Sequence, residues 1–242
     1  MKIRSSADNY FKFKQFQIAH DKSSMKVGTD AVLLGAWVDC LHKTNILEIG
    51  TGSGVIALML AQRTGAEIKI DAVEIEEQDA LQAKENIDRS PWPSKIIVHH
   101  LPFQLFKTTT QYDLIVTNPP FFINSQLPPS PKRSQAKHTQ SLTHLELLKH
   151  SYPLLSDDGK LAIILPFEEG KLFIATANRY GMHIHRQLAI FARQEKPQER
   201  WIFELGKSSP KHFTSESLIL LENREDWSEG YKNLAKDFYL KL

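Results

Sequence analysis

A single cysteine, Cys40, stands in the whole chain of 242 residues, so no disulfide can close within it. That scarcity fits a reducing cytoplasm rather than an oxidising compartment. Long apolar runs are also missing. Nothing approaches the ~20 residues that cross a bilayer as a helix, and the start Met1-Lys2-Ile3-Arg4 leads into no apolar signal segment. A membrane partner is therefore not expected. Net charge is nearly absent too: 30 Lys and Arg against 28 Asp and Glu leave +2. Such a balance does not announce a nucleic-acid binder, and any RNA contact must concentrate positive charge locally. What is present is a hydrophobic fraction of 41% with 24% charged residues, the composition of a folded globular protein. The length suits one larger α/β domain, and a monomer is expected.

Between about residues 45 and 165, strand-like and helix-like segments alternate. Asn45–Ile49 is a short apolar run ending at glycines, and Val55–Arg63 reads as a helix. Ile68–Glu74 reads as a second strand and Glu76–Arg89 as a second helix. Lys95–His99, Tyr112–Thr117 and Lys160–Leu165 read as further strands. Thr143-His144-Leu145-Glu146 has the spacing of a helix capping box. Beyond Gly181, Met182–Ala192 and Arg200–Leu205 suggest an antiparallel pair at the sheet edge, and the tail from Trp227 is helical in part. Cys40 is expected as a small packed residue at the end of a helix. The pattern predicts an α/β fold of Rossmann type: a mainly parallel seven-stranded sheet with an antiparallel edge pair and helices on both faces.

Glu48-Ile49-Gly50-Thr51-Gly52-Ser53-Gly54 joins the first of these strands to the first helix. Glycines there allow a tight turn and close approach of a ligand to the backbone. The spacing is G-x-G-x-G, not the G-x-G-x-x-G of dinucleotide folds, and no Lys-Ser/Thr pair follows as a P-loop requires. Glu48, two residues before the first glycine, would repel a pyrophosphate but not the ammonium and sulfonium of a methionine-type ligand. Glu74 ends the second strand, where a carboxylate can accept hydrogen bonds from both ribose hydroxyls. An ordinary solvated glutamate is the alternative, with Glu76 and Glu77 close by.

Asn118-Pro119-Pro120-Phe121 is the sharpest feature. A strand runs directly into an amide, two prolines that rigidify the turn, and an aromatic ring. The Asn118 side-chain oxygen and the Pro119 carbonyl can accept from the two hydrogens of an exocyclic amino group, and Phe121 offers a face on which a base can stack. An aromatic amine is a poor nucleophile because its lone pair is delocalised. Two acceptors favour a pyramidal nitrogen aimed at an electrophilic methyl, so alignment supplies much of the rate.

These motifs resemble the class I methyltransferases that act on planar-bound amino groups. Longer stretches narrow the likeness: Phe13-Lys14-Gln15-Phe16, Ala19-His20-Asp21, Met25-Lys26-Val27-Gly28-Thr29-Asp30, Leu33-Leu34-Gly35-Ala36-Trp37, Ser90-Pro91-Trp92, Leu142-Thr143-His144 and Asp237-Phe238-Tyr239-Leu240. Together they are similar to the bacterial valine tRNA adenine-N6 methyltransferases over nearly the whole chain. The resemblance implies one S-adenosylmethionine (SAM)-dependent domain over residues 1–242, with residues 1–40 as an N-terminal lid on the substrate side. It implies methyl transfer to N6 of the adenosine 3′-adjacent to the anticodon, position 37, with S-adenosylhomocysteine as product. By position, Glu48, Gly50, Thr51, Gly52 and Gly54 would line the methionine end of the cofactor, Glu74 would hold the ribose, and Lys26, Gly28 and Thr29 would lie near the cofactor. Asn118, Pro119, Pro120 and Phe121 would form the catalytic tetrad, with Asn118 also among the cofactor-binding residues. Two departures stand out. Where relatives often carry an acidic residue after the third strand, this chain has His100-Leu101-Pro102-Phe103-Gln104, leaving the Leu101 backbone or the Gln104 amide for the cofactor's adenine. Phe121 replaces a frequent tyrosine, which keeps stacking and loses a hydroxyl.

Two basic segments can grip RNA phosphates. One is Lys132, Arg133, Lys137 and His138, after the tetrad. The other is Lys12 and Lys14 among Phe11, Phe13 and Phe16. The histidines at 99, 100, 183 and 185 alternate as on strands with no cysteine partner, so no metal is expected. Two rival functions share the tetrad: a ribosomal RNA guanine-N2 methyltransferase and a protein-glutamine N5 methyltransferase. The first often has a duplicated, longer chain. The second needs a helical N-terminal substrate domain that is not evident here.

Overall fold

Eight strands and six helices order themselves around one sheet in the computed structural model, which describes residues 10–23, 26–119, 142–223 and 226–241. After a short hairpin of β1 (Tyr10–Lys12) and β2 (Gln17–Ala19) come α1 (Thr29–Trp37), β3 (Asn45–Ile49), α2 (Val55–Arg63), β4 (Lys69–Glu74), α3 (Glu77–Asp88), β5 (Ile96–His100) and β6 (Tyr112–Thr117). Then follow α4 (His144–Ser151), β7 (Leu155–Pro166), α5 (Phe167–Arg179), β8 (His183–Phe191), β9 (Gln198–Gly206), β10 (Thr214–Ile219) and α6 (Glu229–Ala235).

The large sheet has eight strands in the order β10-β8-β9-β7-β6-β3-β4-β5. β9 pairs antiparallel with both β7 and β8, and every other pairing in the sheet is parallel. The expected count of seven is thus one short, and the antiparallel β8–β9 pair is not the edge, because β10 adds outside β8. Its sequence Thr-Ser-Glu-Ser-Leu-Ile is polar, and only Leu218 is buried, so no apolar period marks it as a strand.

Alternation along the strands serves two cores. In β7, Ala162 and Ile164 join the layer packed under α1, α2, α3 and α6, whereas Leu161, Ile163 and Leu165 join the layer under α4 and α5. α1 (TDAVLLGAW) is buried at seven of its nine positions, so it shows no amphipathic stripe. Cys40 is fully buried just beyond it. α4 starts at the expected capping box: the Thr143 hydroxyl accepts from Glu146 N, and the Glu146 carboxylate accepts from Thr143 N at 2.9 Å.

The N-terminal hairpin is part of the core. Phe13 and Phe16 are buried and stacked at 4.6 Å, and Phe13 bridges Tyr239 near the C-terminus. Asn86 of α3 accepts from Ala19 N and donates to the carbonyls of Ala19 and Ser53, all at 2.9 Å. One buried, fully paired amide therefore ties the hairpin, α3 and the glycine turn together.

Candidate active site

β3 and β6 lie side by side, with Ile49 opposite Thr117. Thr117 Oγ1 donates to the Ile49 carbonyl at 2.9 Å. Gly50 and Asn118 therefore leave the sheet at the same level, beyond the C-terminal ends of parallel strands where α/β folds bind ligands. A cleft of about 780 Å³ opens there. It is lined by Glu48, Gly50, Thr51 and Gly52, by Lys26, Gly28 and Thr29 at the start of α1, and by Asn118 and Pro119. Residues far apart in sequence but assigned to one site by their types are thus neighbours.

The three glycines of the turn differ in what they do. Gly50 and Gly52 have φ of +73° and +53°, and a Cβ at either position would meet nothing within 4 Å. They combine a left-handed backbone with open space for a ligand. Gly54, at φ +85°, faces α3 instead: a Cβ there would come within 3.4 Å of Ala83 Cα. Gly54 is not among the residues lining the cleft, and its role visible here is close packing at the start of α2.

Glu48 is buried with an unusual balance of partners. Oε2 accepts from Thr51 Oγ1 at 2.6 Å and from Ala57 N at 3.0 Å. Oε1 is buried without a hydrogen-bond partner. Desolvation pushes the carboxyl up to about 8, against the lowering effect of those two donors, and nearby Glu74 adds to the rise. A buried acceptor left unsatisfied in a ligand cleft suits an incoming cation.

Glu74 stands just behind the turn. Its Oε2 accepts from Gly52 N at 2.8 Å, and Oε1 accepts from Ile75 N at 2.8 Å and Glu76 N at 3.0 Å. Burial nevertheless raises its pKa. It does not itself line the cleft as far as the cleft extends here, so part of its work is to shape the glycine turn. On the expectation that the cleft takes SAM, Glu74→Ala should weaken its binding by about 1–3 kcal/mol, some of it through a loosened turn. Calorimetry against Glu74→Gln separates the parts, since the amide oxygen still accepts. Equal affinity in wild type and Glu74→Ala would remove Glu74 from the site. Leu101 N donates to the Glu74 carbonyl at 2.9 Å, so that N–H is engaged, and the Gln104 side chain hydrogen-bonds to Glu146.

Pro120, Phe121, Lys132, Arg133, Lys137 and His138 lie outside the described residues. Lys12 is exposed, and Lys14 donates to the Lys236 carbonyl at 2.5 Å. The neighbouring aromatics Phe13 and Phe16 are core side chains. His99 sits 2.6 Å from Asp71, which also accepts from the Tyr112 hydroxyl at 2.8 Å. Among the described residues, no group of three or more His, Cys, Asp or Glu is placed to hold a metal ion. No helix among them is long and apolar enough to cross a membrane.

The far wall of the cleft holds residues the motifs did not mark: Ile190, Glu199, Arg200, Leu220 and Trp227, from β8, β9 and the segment after β10. They reach the site only because β9 inserts between β7 and β8, and nothing local in the sequence signals that.

Residues 22–171 match the family model described as methyltransferase small domain. A tRNA1(Val) (adenine(37)-N6)-methyltransferase of Pectobacterium carotovorum is 41% identical, over 95% of this chain and 93% of its own. The like-named protein of Parabacteroides distasonis is 41% identical over 98% and 100%, and that of Trichodesmium erythraeum 42% over 96% and 98%. Among solved structures, a predicted O-methyltransferase from Agrobacterium tumefaciens superposes with a TM-score of 0.66 at 15% identity, covering 86% of this chain and 96% of that one. That likeness speaks for the fold.

Proposed function

Since the chain belongs to the family of tRNA1(Val) (adenine(37)-N6)-methyltransferases, and through it to the methyltransferase small-domain family, we propose that it methylates N6 of adenosine 37 in valine tRNA with SAM as donor. The observation that carries this reading is the shared cleft: the amine-holding pair Asn118-Pro119 and the glycine turn with Glu48 line one cavity.

Bound SAM supplies an electrophilic methyl group on a sulfonium. The residues present fit that ligand. Glu48 Oε1 is a buried unpartnered oxygen that can accept from an ammonium once the carboxyl gives up its proton, Gly50 and Gly52 leave room beside their backbone, and Glu74 braces the turn beside which a ribose would lie. Asn118 Oδ1 and the Pro119 carbonyl hold the two hydrogens of the target amine and turn its lone pair toward the cofactor. Asn118 orients and does not remove the proton, because an amide is no base at neutral pH. Phe121 supplies the stacking face for the base lifted out of the anticodon loop.

Lys132, Arg133, Lys137 and His138 follow the tetrad in the chain and form the phosphate grip, with Lys12 and Lys14 as a second contact. Replacing Lys132, Arg133 and Lys137 together with neutral residues is expected to lower tRNA affinity and flatten its salt dependence, because fewer counterions are released. SAM affinity should not move. A full salt slope in the triple variant would place the RNA footprint elsewhere. The protein works as a cytoplasmic monomer, with residues 26–31 as the part of the N-terminal extension that reaches the cleft.

Mass spectrometry of nucleosides from tRNA treated with enzyme and SAM tests the reading. N6-methyladenosine is expected. N2-methylguanosine would point to the guanine-N2 rival. Methylation of release-factor glutamine with unmodified RNA would point to the protein-directed one.

A further inference from the structure

The cleft has two chemically different walls. The glycine turn and Glu48 form one, polar and acidic. The other comes from residues beyond the stretch matched by the domain family, which ends at residue 171. It is apolar at Ile190, Leu220, Leu221 and Trp227, and its charged residues are Glu199 and the cation Arg200. From β9, Arg200 Nε donates to Asp30 Oδ2 in the first turn of α1 at 2.9 Å, and Nη1 donates to the Glu199 carbonyl at 3.2 Å. The Arg200 and Asp30 side chains are 31% and 22% exposed, so the pair is partly shielded from solvent.

A guanidinium is a poor partner for the cofactor. The ammonium and sulfonium of SAM are repelled by it, and the single carboxylate can be served by Lys26 on the same cleft. The polyanionic substrate is different. A nucleoside taken out of an RNA chain brings a phosphate on either side, and a guanidinium donates charge-assisted hydrogen bonds to phosphate oxygens. The flat base meanwhile matches the apolar part of the wall. Resting on the function above, we propose that Arg200 binds a phosphate flanking the target adenosine and so positions the base against Asn118, with Asp30 holding the guanidinium in place.

The test is a cycle between protein and RNA. Wild type and Arg200→Ala are assayed on valine tRNA lacking the modification, and on the same tRNA with neutral methylphosphonates at both phosphates flanking adenosine 37. Arg200→Ala should lower kcat/KM for tRNA by about 10- to 100-fold and leave the SAM dissociation constant unchanged. The neutral linkages should cost wild type a similar factor and cost Arg200→Ala little more. Arg200→Lys keeps the charge without the guanidinium, should recover part of the loss, and runs the same cycle if Arg200→Ala does not fold. If the two losses multiply, Arg200 does not touch those phosphates and the inference falls while the function stands. If wild type transfers no methyl group to the unaltered tRNA, the functional reading falls and takes the inference with it.

Discussion

Asn118→Ala is expected to slow single-turnover methyl transfer by about a hundredfold or more, because a small misplacement of reacting atoms is that costly. SAM affinity should stay near wild type. On the proposed reading most of the cofactor's contacts come from the glycine turn and the start of α1, whereas Asn118 follows the end of β6. The strand itself should survive, since Thr117, not Asn118, makes the bond that locks β6 to β3. Asn118→Asp refines the result. A carboxylate still accepts hydrogen bonds, so partial recovery means that acceptance is what matters. Phe121→Ala should behave differently, losing about 1–3 kcal/mol of base capture and raising KM for tRNA more than it lowers kcat. A near-wild-type rate in Asn118→Ala would mean that other groups hold the amine.

Glu48 carries the second large effect. A carboxyl whose pKa rises on folding cannot ionise when the unfolded chain does. Stability is therefore lost as pH rises from about 4.5 to about 8, the window set by its ordinary and folded values. The unliganded protein should melt roughly 10 °C lower at pH 8 than at pH 5 through this group, and Glu48→Gln should remove most of that slope. Binding a cationic amine beside Oε1 favours the carboxylate. SAM binding at pH 7 should then release about one more proton in wild type than in Glu48→Gln. Calorimetry in buffers of different ionisation enthalpy measures that difference directly. Equal release in both proteins would show that Glu48 does not face the cation.

Legibility in the sequence followed locality. β3, α2 and β6 fall where an apolar run, a glycine turn and a proline stop place them, and Asn45–Ile49, Val55–Arg63 and Tyr112–Thr117 match residue for residue. The Thr143 capping box is a four-residue signal and is realised as such. Features that depend on packing were not legible. α1 is apolar on every side, so it lacks the stripe that identifies a surface helix. β10 is polar and gains its strand character only from pairing with β8. The aromatic residues near Lys12 and Lys14 look from the sequence like a face for RNA. The hairpin instead turns Phe13 and Phe16 into the core against Tyr239. The three glycines look alike in the motif, and only the approach of Ala83 separates Gly54 from the other two. The far wall of the cleft, with Arg200, depends on strand order and has no local trace at all.

The central claim is that one adenosine, at position 37, is the acceptor. Wild-type enzyme should be given SAM with a labelled methyl group and two valine tRNAs free of modification, identical except that one carries guanosine at position 37. Uptake of about one methyl group per tRNA by the adenosine form, and none by the guanosine form, is the expected outcome. Equal labelling of both, or of neither, would contradict it.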